Sequence, residues 1–181
     1  MLKKITQQIH TAVDDNDVVF CYLWLNYYHP VLKRDIAYRV DFDVIDRPMV
    51  ELMSWYIHDH GYVMSPISLP GLKKRTVYMH RQCAQEKLSE DYNVVDHIDW
   101  IKTNNRRSNL RATDYKGNSE NIPPKCPFGR DYVQAIHVGR YEAYIPVEDG
   151  FSELLGVFET REACIEAQNE YLKNKEMIKK C

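Results

Sequence analysis

Between Val94 and Asn121 the chain reads VVDHIDWIKTNNRRSNLRATDYKGNSEN. Val94-Val95 reads as a short strand, and Leu110-Arg111-Ala112 as a second. A polar loop joins them, and Asp114 stands where a helix over Tyr115 to Asn121 needs its cap. The order strand, polar loop, strand, capped helix predicts a ββα arrangement. Pro123-Pro124 ends it, and residues 123–130 read as a Pro/Gly linker. Into this stretch the sequence concentrates an acid–imidazole pair, three arginines and several side-chain amides.

The stretch resembles the HNH nuclease motif, in the DH…N…N form of phage and intron-type homing endonucleases. The residues that carry the resemblance are Asp96-His97, Asn109 in Asn109-Leu110-Arg111, and Asn118. Upstream, Trp55, Gly61-Tyr62-Val63 and Val77 to Arg81 look like the module that precedes the motif in many phage HNH proteins. The resemblance implies a ββα-metal core and DNA phosphodiester hydrolysis.

The residue types suit that chemistry. Hydrolysis needs a water made nucleophilic and a leaving oxygen made stable. A neutral imidazole takes a proton near neutral pH, which makes His97 the candidate base. A hard divalent ion, Mg²⁺ or Mn²⁺, takes oxygen ligands, which Asp96 and the amide oxygen of Asn118 can supply. Successive strand residues point to opposite faces, so Asp96 and His97 serve one site only if the strand ends or bends there. Asn109 is expected to support the site by bonding loop backbone and holding His97. Arg81, Lys102, Arg106, Arg107 and Arg111 are candidate DNA contacts. Trp100 stands where the family has a small or polar residue, and Gly117 inside a short helix costs about 1 kcal/mol relative to Ala.

A net charge of −2 argues against nucleic acid until its distribution is considered. Residues 71–130 carry 12 basic and 7 acidic side chains, while the flanking segments are acidic. The positive charge therefore lies around the motif, where a phosphate backbone would approach. Cys21, Cys83, Cys126, Cys164 and Cys181 form no CxxC pair and are odd in number, which predicts reduced thiols in the cytoplasm and no structural zinc. No apolar run reaches bilayer length, and the start lacks the apolar core of a signal peptide, so no membrane partner is expected.

Upstream of the motif, Leu2, Ile5, Ile9 and Val13 have helical spacing. Val18 to Tyr28 reads as a strand, and Ala37 to Val44 alternates as a half-buried strand with Tyr38, Val40, Phe42 and Val44 inward. Pro48 opens a helix expected over Met49 to His58. Tyr62 to Met64 and Thr76 to His80 read as a hairpin, followed by a helix from Arg81 to Glu90.

In the tail, Val133 to Val138, Tyr141 to Val147 and Leu154 to Phe158 read as strands. Thr160 caps a helix from Arg161 to Lys173, in which Ala163, Ala167 and Tyr171 fall at i, i+4 and i+8 and Cys164 lies beside them. This segment, with its Leu155-Gly156-Val157-Phe158-Glu159-Thr160 corner, resembles the AP2-type DNA-binding domain. Tyr141, Ala143, Ile145 and Val147 are expected to face the helix. Arg140, Glu142, Tyr144 and Pro146 are then expected outward, with Gln134, His137, Arg140 and Tyr144 as candidate DNA contacts.

The expected class is α+β: an N-terminal β-rich extension (1–45), an HNH nuclease domain (46–122), a linker (123–130) and an AP2-like domain (131–181). The expected function is a metal-dependent, site-selective endonuclease on double-stranded DNA, of the phage homing type, in the cytoplasm of a bacterial host. The alternative is an inactive HNH-fold DNA-binding or protein-interaction factor in phage regulation or packaging. The oligomeric state, monomer or homodimer, stays open.

Overall fold

The computed structural model describes residues 7–68, 71, 73–129, 132–147 and 151–178. The fold is mixed α+β, with antiparallel sheets and short helices. Near the start, β1 (His10–Val13), β2 (Val19–His29) and β3 (Arg34–Asp43) form a sheet in the order β1-β2-β3. The helical spacing over 1–13 is overridden in its described part, because His10–Val13 pairs with Val19–Tyr22. The Asp14 carboxylate accepts from the backbone N–H groups of Asn16 and Val18 and closes a tight turn that makes the two strands neighbours. Leu2 and Ile5 lie outside the described residues. Tyr38, Val40 and Phe42 are buried on β3 as the alternation requires, whereas Val44 is exposed where the strand gives way to a 3₁₀ turn.

Helix α1 is only Arg47–Glu51. It does not reach His58, because the indole N–H of buried Trp55 donates to Val50 O at 3.0 Å and the chain turns into β4 (Tyr56–Ile57). With β5 (Val63–Ile67) and β6 (Arg75–Tyr78), β4 forms a second antiparallel sheet in the order β4-β5-β6. Helix α2 (Met79–Cys83) follows β6 directly, and a 3₁₀ turn at Gln85–Lys87 replaces the longer helix expected to Glu90. Strands β7 (Val94–His97) and β8 (Leu110–Thr113) pair antiparallel, with Asp96 opposite Arg111 and His97 opposite Leu110. Helix α3 (Tyr115–Glu120) follows, its first turn capped by the Asp114 carboxylate on Gly117 N–H.

The described residues up to Tyr27 and those of Ala37–Ile122 form one compact unit; Tyr28–Ile36 and the described residues from Pro123 onward form another. The segment expected to be a separate extension is therefore divided between the two. In the first unit, β3 holds the loop between β7 and β8. Asp41 N–H donates to Thr103 O at 2.9 Å, and Asn105 N–H donates to Asp41 O at 2.8 Å. Arg107 donates from its backbone to Asp43 at 2.7 Å and from its guanidinium to Asp46 at 3.1 and 2.8 Å, with Glu86 as a further partner. Arg106 pairs with Asp14 at 2.7 Å and lies over the Phe20 ring, 4.7 Å from its centroid.

In the second unit β9 (Val133–His137), β10 (Arg140–Pro146) and β11 (Ser152–Phe158) form a sheet in the order β11-β10-β9, and α4 (Arg161–Ile178) packs on it. Thr160 caps α4 by accepting from Ala163 N–H. The buried stripe of α4 is centred on Cys164 and Gln168 rather than on Ala163 and Ala167. Gln168 donates to Tyr132 O and Tyr144 O at 3.0 and 2.8 Å, so a polar residue ties the helix to the sheet. Among the described residues no helix is long and apolar enough to cross a membrane.

The Asp46–Arg107 contact can be weighed by a double-mutant cycle. Asp46→Ala should lower stability in urea by about 1–3 kcal/mol, because it strands a half-buried guanidinium. Adding Arg107→Ala should restore part of that loss; a coupling below about 0.5 kcal/mol would show that the pair does not brace the loop.

Candidate active site

Strand β7 stops at His97, and the chain turns at Ile98 and Asp99. This break lets Asp96 and His97, both buried, serve one site despite being adjacent on a strand. The turn is organised by Asp99. Its carboxylate accepts from Ile101 N–H at 2.9 Å, from the Asn109 amide at 2.8 Å and from the Asn104 amide at 2.7 Å. Burial raises the Asp99 pKa against the lowering effect of these bonds. Asn109 closes the loop by donating to Asn104 O at 2.9 Å and accepting from Asp99 N–H at 3.1 Å. Asn109 thus bonds loop backbone as expected.

The side chain that meets the His97 ring is Asn105, which is fully buried. Asn105 donates its amide N–H to Thr103 O at 3.2 Å, and its Oδ1 lies 3.5 Å from His97 Nε2, at the outer edge of hydrogen-bond range. With Oδ1 facing it, Nε2 carries the proton and Nδ1 keeps the lone pair. Burial pushes the His97 pKa down to about 4, although Asn105 and Asp96 act in the opposite direction. The imidazole is therefore neutral at pH 7.

Aromatic rings enclose that imidazole. His80 on α2 lies 5.2 Å from it and Tyr62 lies 6.1 Å away, centroid to centroid. Tyr78, the last residue of β6, is 5.6 Å from His80. His80 is buried, and its Nδ1 has no hydrogen-bond partner. Burial, followed by the neighbouring His97, pushes its pKa down to about 3. Lys102 lies over the Tyr62 ring and donates to His60 O.

Asp96 accepts three hydrogen bonds on one oxygen. Oδ2 receives Arg111 Nε and Nη2 at 3.0 and 2.8 Å and Asn121 Nδ2 at 2.9 Å. Among the described residues no hydrogen bond reaches Oδ1. Asn121 Nδ2 also donates to His97 O at 2.9 Å, and Asn121 Oδ1 accepts the Trp100 indole N–H at 2.6 Å. Trp100 thus secures the amide that secures both Asp96 and His97. It does so from a left-handed backbone, φ 63°, which an aromatic residue adopts only at a cost and glycine adopts freely.

Asn118 lies on α3 one turn before Asn121 and is exposed; among the described residues its side chain makes no hydrogen bond. The amide bonded to Asp96 is Asn121, which the sequence reading passed over along with Asn105 and Asp99. The three-residue spacing from Asn118, which places both on one helix face, was the available signal. Among the described residues no group of three His, Cys, Asp or Glu side chains could hold a metal. A carboxylate and an amide, the pair expected from Asp96 and Asn118, have a different composition from such a group.

The expected DNA contacts fare unequally. Arg106 and Arg107 are engaged in the internal pairs with Asp14, Asp46 and Glu86. Arg111 shares Asp96 but stays half exposed. Arg81 is exposed. In the tail, Tyr144 is fully buried rather than outward. A register shift between Ala143 and Tyr144 breaks the alternation, and the Arg34 guanidinium covers the ring at 5.3 Å. Gln134 meets His29 at 3.2 Å, and Ser152 donates to Leu32 O at 3.0 Å. The Tyr28–Ile36 tip thus occupies the sheet surface expected to face outward. Arg140 is exposed and pairs with Glu142 at 3.7 Å, and His137 lies on Val138 O.

No family model matches the chain, and no curated protein or solved structure is significantly similar to it.

Two measurements probe this geometry. Trp100→Phe keeps the ring and removes the indole N–H, so the Asn121 side-chain amide resonances should shift and stability should drop by about 0.5–1.5 kcal/mol. Trp100→Gly should shift the same resonances while recovering part of the loss, because it relieves the left-handed strain. Unmoved Asn121 resonances in the Phe variant would show that the bond is not made.

The second concerns pH. The folded-state pKa values of His80 and His97 lie below the ordinary 6.5, so the unfolded chain binds more protons below that pH. Their contribution to stability is present above about pH 6.5 and is lost as pH falls towards 4. His80→Phe should flatten this part of the urea-midpoint profile; an unchanged slope would mean that His80 is not held neutral.

Proposed function

We propose that the protein is a metal-dependent endonuclease of the HNH type acting on double-stranded DNA, of the phage homing kind that its motif resembles. The observation that supports this most is the His97 imidazole, neutral and oriented by Asn105, beside a carboxylate one oxygen of which receives no hydrogen bond among the described residues. His97 Nδ1 takes the proton of the attacking water. Asp96 Oδ1 and Asn118 Oδ1 would hold one Mg²⁺ or Mn²⁺. When bound, that ion polarises the scissile phosphate and stabilises the leaving 3′ oxygen. Asn121 keeps Asp96 and the His97 backbone in register, and Trp100 keeps Asn121 in place. The half-exposed Arg111 guanidinium lies beside Asp96, where it can meet phosphate charge. The tail supports the fold and adds little electrostatic affinity, because much of its expected reading surface is covered.

The test is cleavage of phage and host DNA with Mg²⁺, Mn²⁺ or EDTA. His97→Ala should lose about 10²–10⁴-fold in rate while retaining DNA binding. Asp96→Ala and Asn118→Ala should regain part of their rate at raised ion concentration. Asn105→Ala should lower the rate without changing the ion dependence. Wild-type protein that binds DNA but cuts with no divalent ion, and that His97→Ala matches in every respect, would place the chain among inactive scaffolds.

A further inference from the structure

Neither set of cations that the sequence offers most readily for DNA is well placed to meet it. Arg106 and Arg107 neutralise Asp14, Asp46 and Glu86. The tail surface around Gln134 and Tyr144 is occupied by Tyr28–Ile36. A nuclease still needs positive charge beside its base, because phosphate neutralisation supplies most of the affinity for a duplex.

The β5–β6 hairpin and α2 carry such charge. From His60 to Gln85 the chain has four Lys or Arg residues and no Asp or Glu. All four, Lys73, Lys74, Arg75 and Arg81, are exposed. Among the described residues none of them makes an ion pair or side-chain hydrogen bond. The motif arginines Arg106, Arg107 and Arg111, by contrast, are all paired with carboxylates.

Their position matters as much as their sign. Arg75 opens β6, and Tyr78 ends it within ring contact of His80, which in turn packs on His97. A strand advances about 3.3 Å per residue, so Arg75 lies roughly 10 Å along the strand from Tyr78. Arg81 follows His80 directly on α2. Arg81 therefore adjoins the ring cluster around His97, and Arg75 stands at the far end of the strand that leads to it. The strand is also an edge: among the described strands β6 pairs with β5 alone.

We propose that Lys73 and Lys74 just before β6, Arg75 at its start and Arg81 on α2 form the surface that lays the phosphate backbone of duplex DNA against His97. This rests on the nuclease reading and adds to it the face on which the substrate lies. The contacts are to phosphate, so the surface binds duplexes regardless of sequence. The affinity it supplies must fall steeply with salt.

The experiment is fluorescence anisotropy of a labelled DNA duplex in EDTA, titrated from about 50 to about 200 mM KCl. The full-length wild type is compared with Lys73→Gln/Lys74→Gln/Arg75→Gln, with Arg81→Gln, and with Lys173→Gln/Lys175→Gln on α4. Thermal unfolding of each variant checks that the fold survives, as it should for exposed side chains. The β6 triple variant should lower the log–log salt slope by about 2–3, Arg81→Gln by about 1, and both should weaken different duplex sequences equally. The α4 pair should leave the slope nearly unchanged. A slope change below about 1 in the triple variant, or an equal loss per charge in the α4 pair, overturns the proposal. So does wild-type protein that binds no duplex at low salt. Parallel cleavage assays separate the two readings. Wild type that cuts while the triple variant keeps its salt slope removes the surface and leaves the nuclease. Loss of slope in a protein that never cuts leaves the surface as a DNA-binding face and removes the nuclease.

Discussion

The loop that carries the candidate chemistry is held by charge borrowed from an earlier part of the chain. Arg106 and Arg107 turn to Asp14, Asp43 and Asp46, and the backbone of β3 bonds the same loop at Asp41. A polar loop of this length has little apolar surface of its own and would otherwise stay mobile. Ion pairs on an open surface contribute little, but these are half buried and share carboxylates with backbone donors. The basic character of the motif is in part a structural device.

A second hierarchy follows from that anchored loop. Asp99 shapes the turn, Asn109 closes it, and Asn105 emerges beneath the His97 ring. On the other side Trp100 accepts an unfavourable backbone conformation and thereby fixes Asn121 on Asp96. Strain at one residue is offset by hydrogen bonds at three others, an arrangement common where geometry must be kept within fractions of an ångström.

Much of this order was legible in the sequence, because strand alternation, capping and turn chemistry are local. The β7 and β8 strands, the Asp114 cap, the capped tail helix and the place of Asp96 and His97 at the end of a strand all follow from short-range patterns. What escaped was set at a distance. The first residues became a strand because β2 lay alongside. Asn105 outranked Asn109 at the imidazole because β3 pulls its backbone inward. Gly117 looked like a defect in a helix, yet a Cβ there would stand 2.2 Å from Thr113 Oγ1, so the close approach of α3 to β8 requires it. Tyr144 turned inward because a bulge in β10 shifts the alternation, which no periodicity count registers.

The covered sheet of the tail has a consequence for how the protein is made. Leu32 and Ser152 are partners, yet 120 residues separate them, so at about 5–20 residues per second a ribosome needs roughly 6–24 s to deliver the second after the first. During that interval the apolar hairpin tip, with Leu32 and Ile36 later buried, has emerged without the strands that will cover it. The nascent chain must carry this uncovered tip until β11 has been made, and the second unit can close only then.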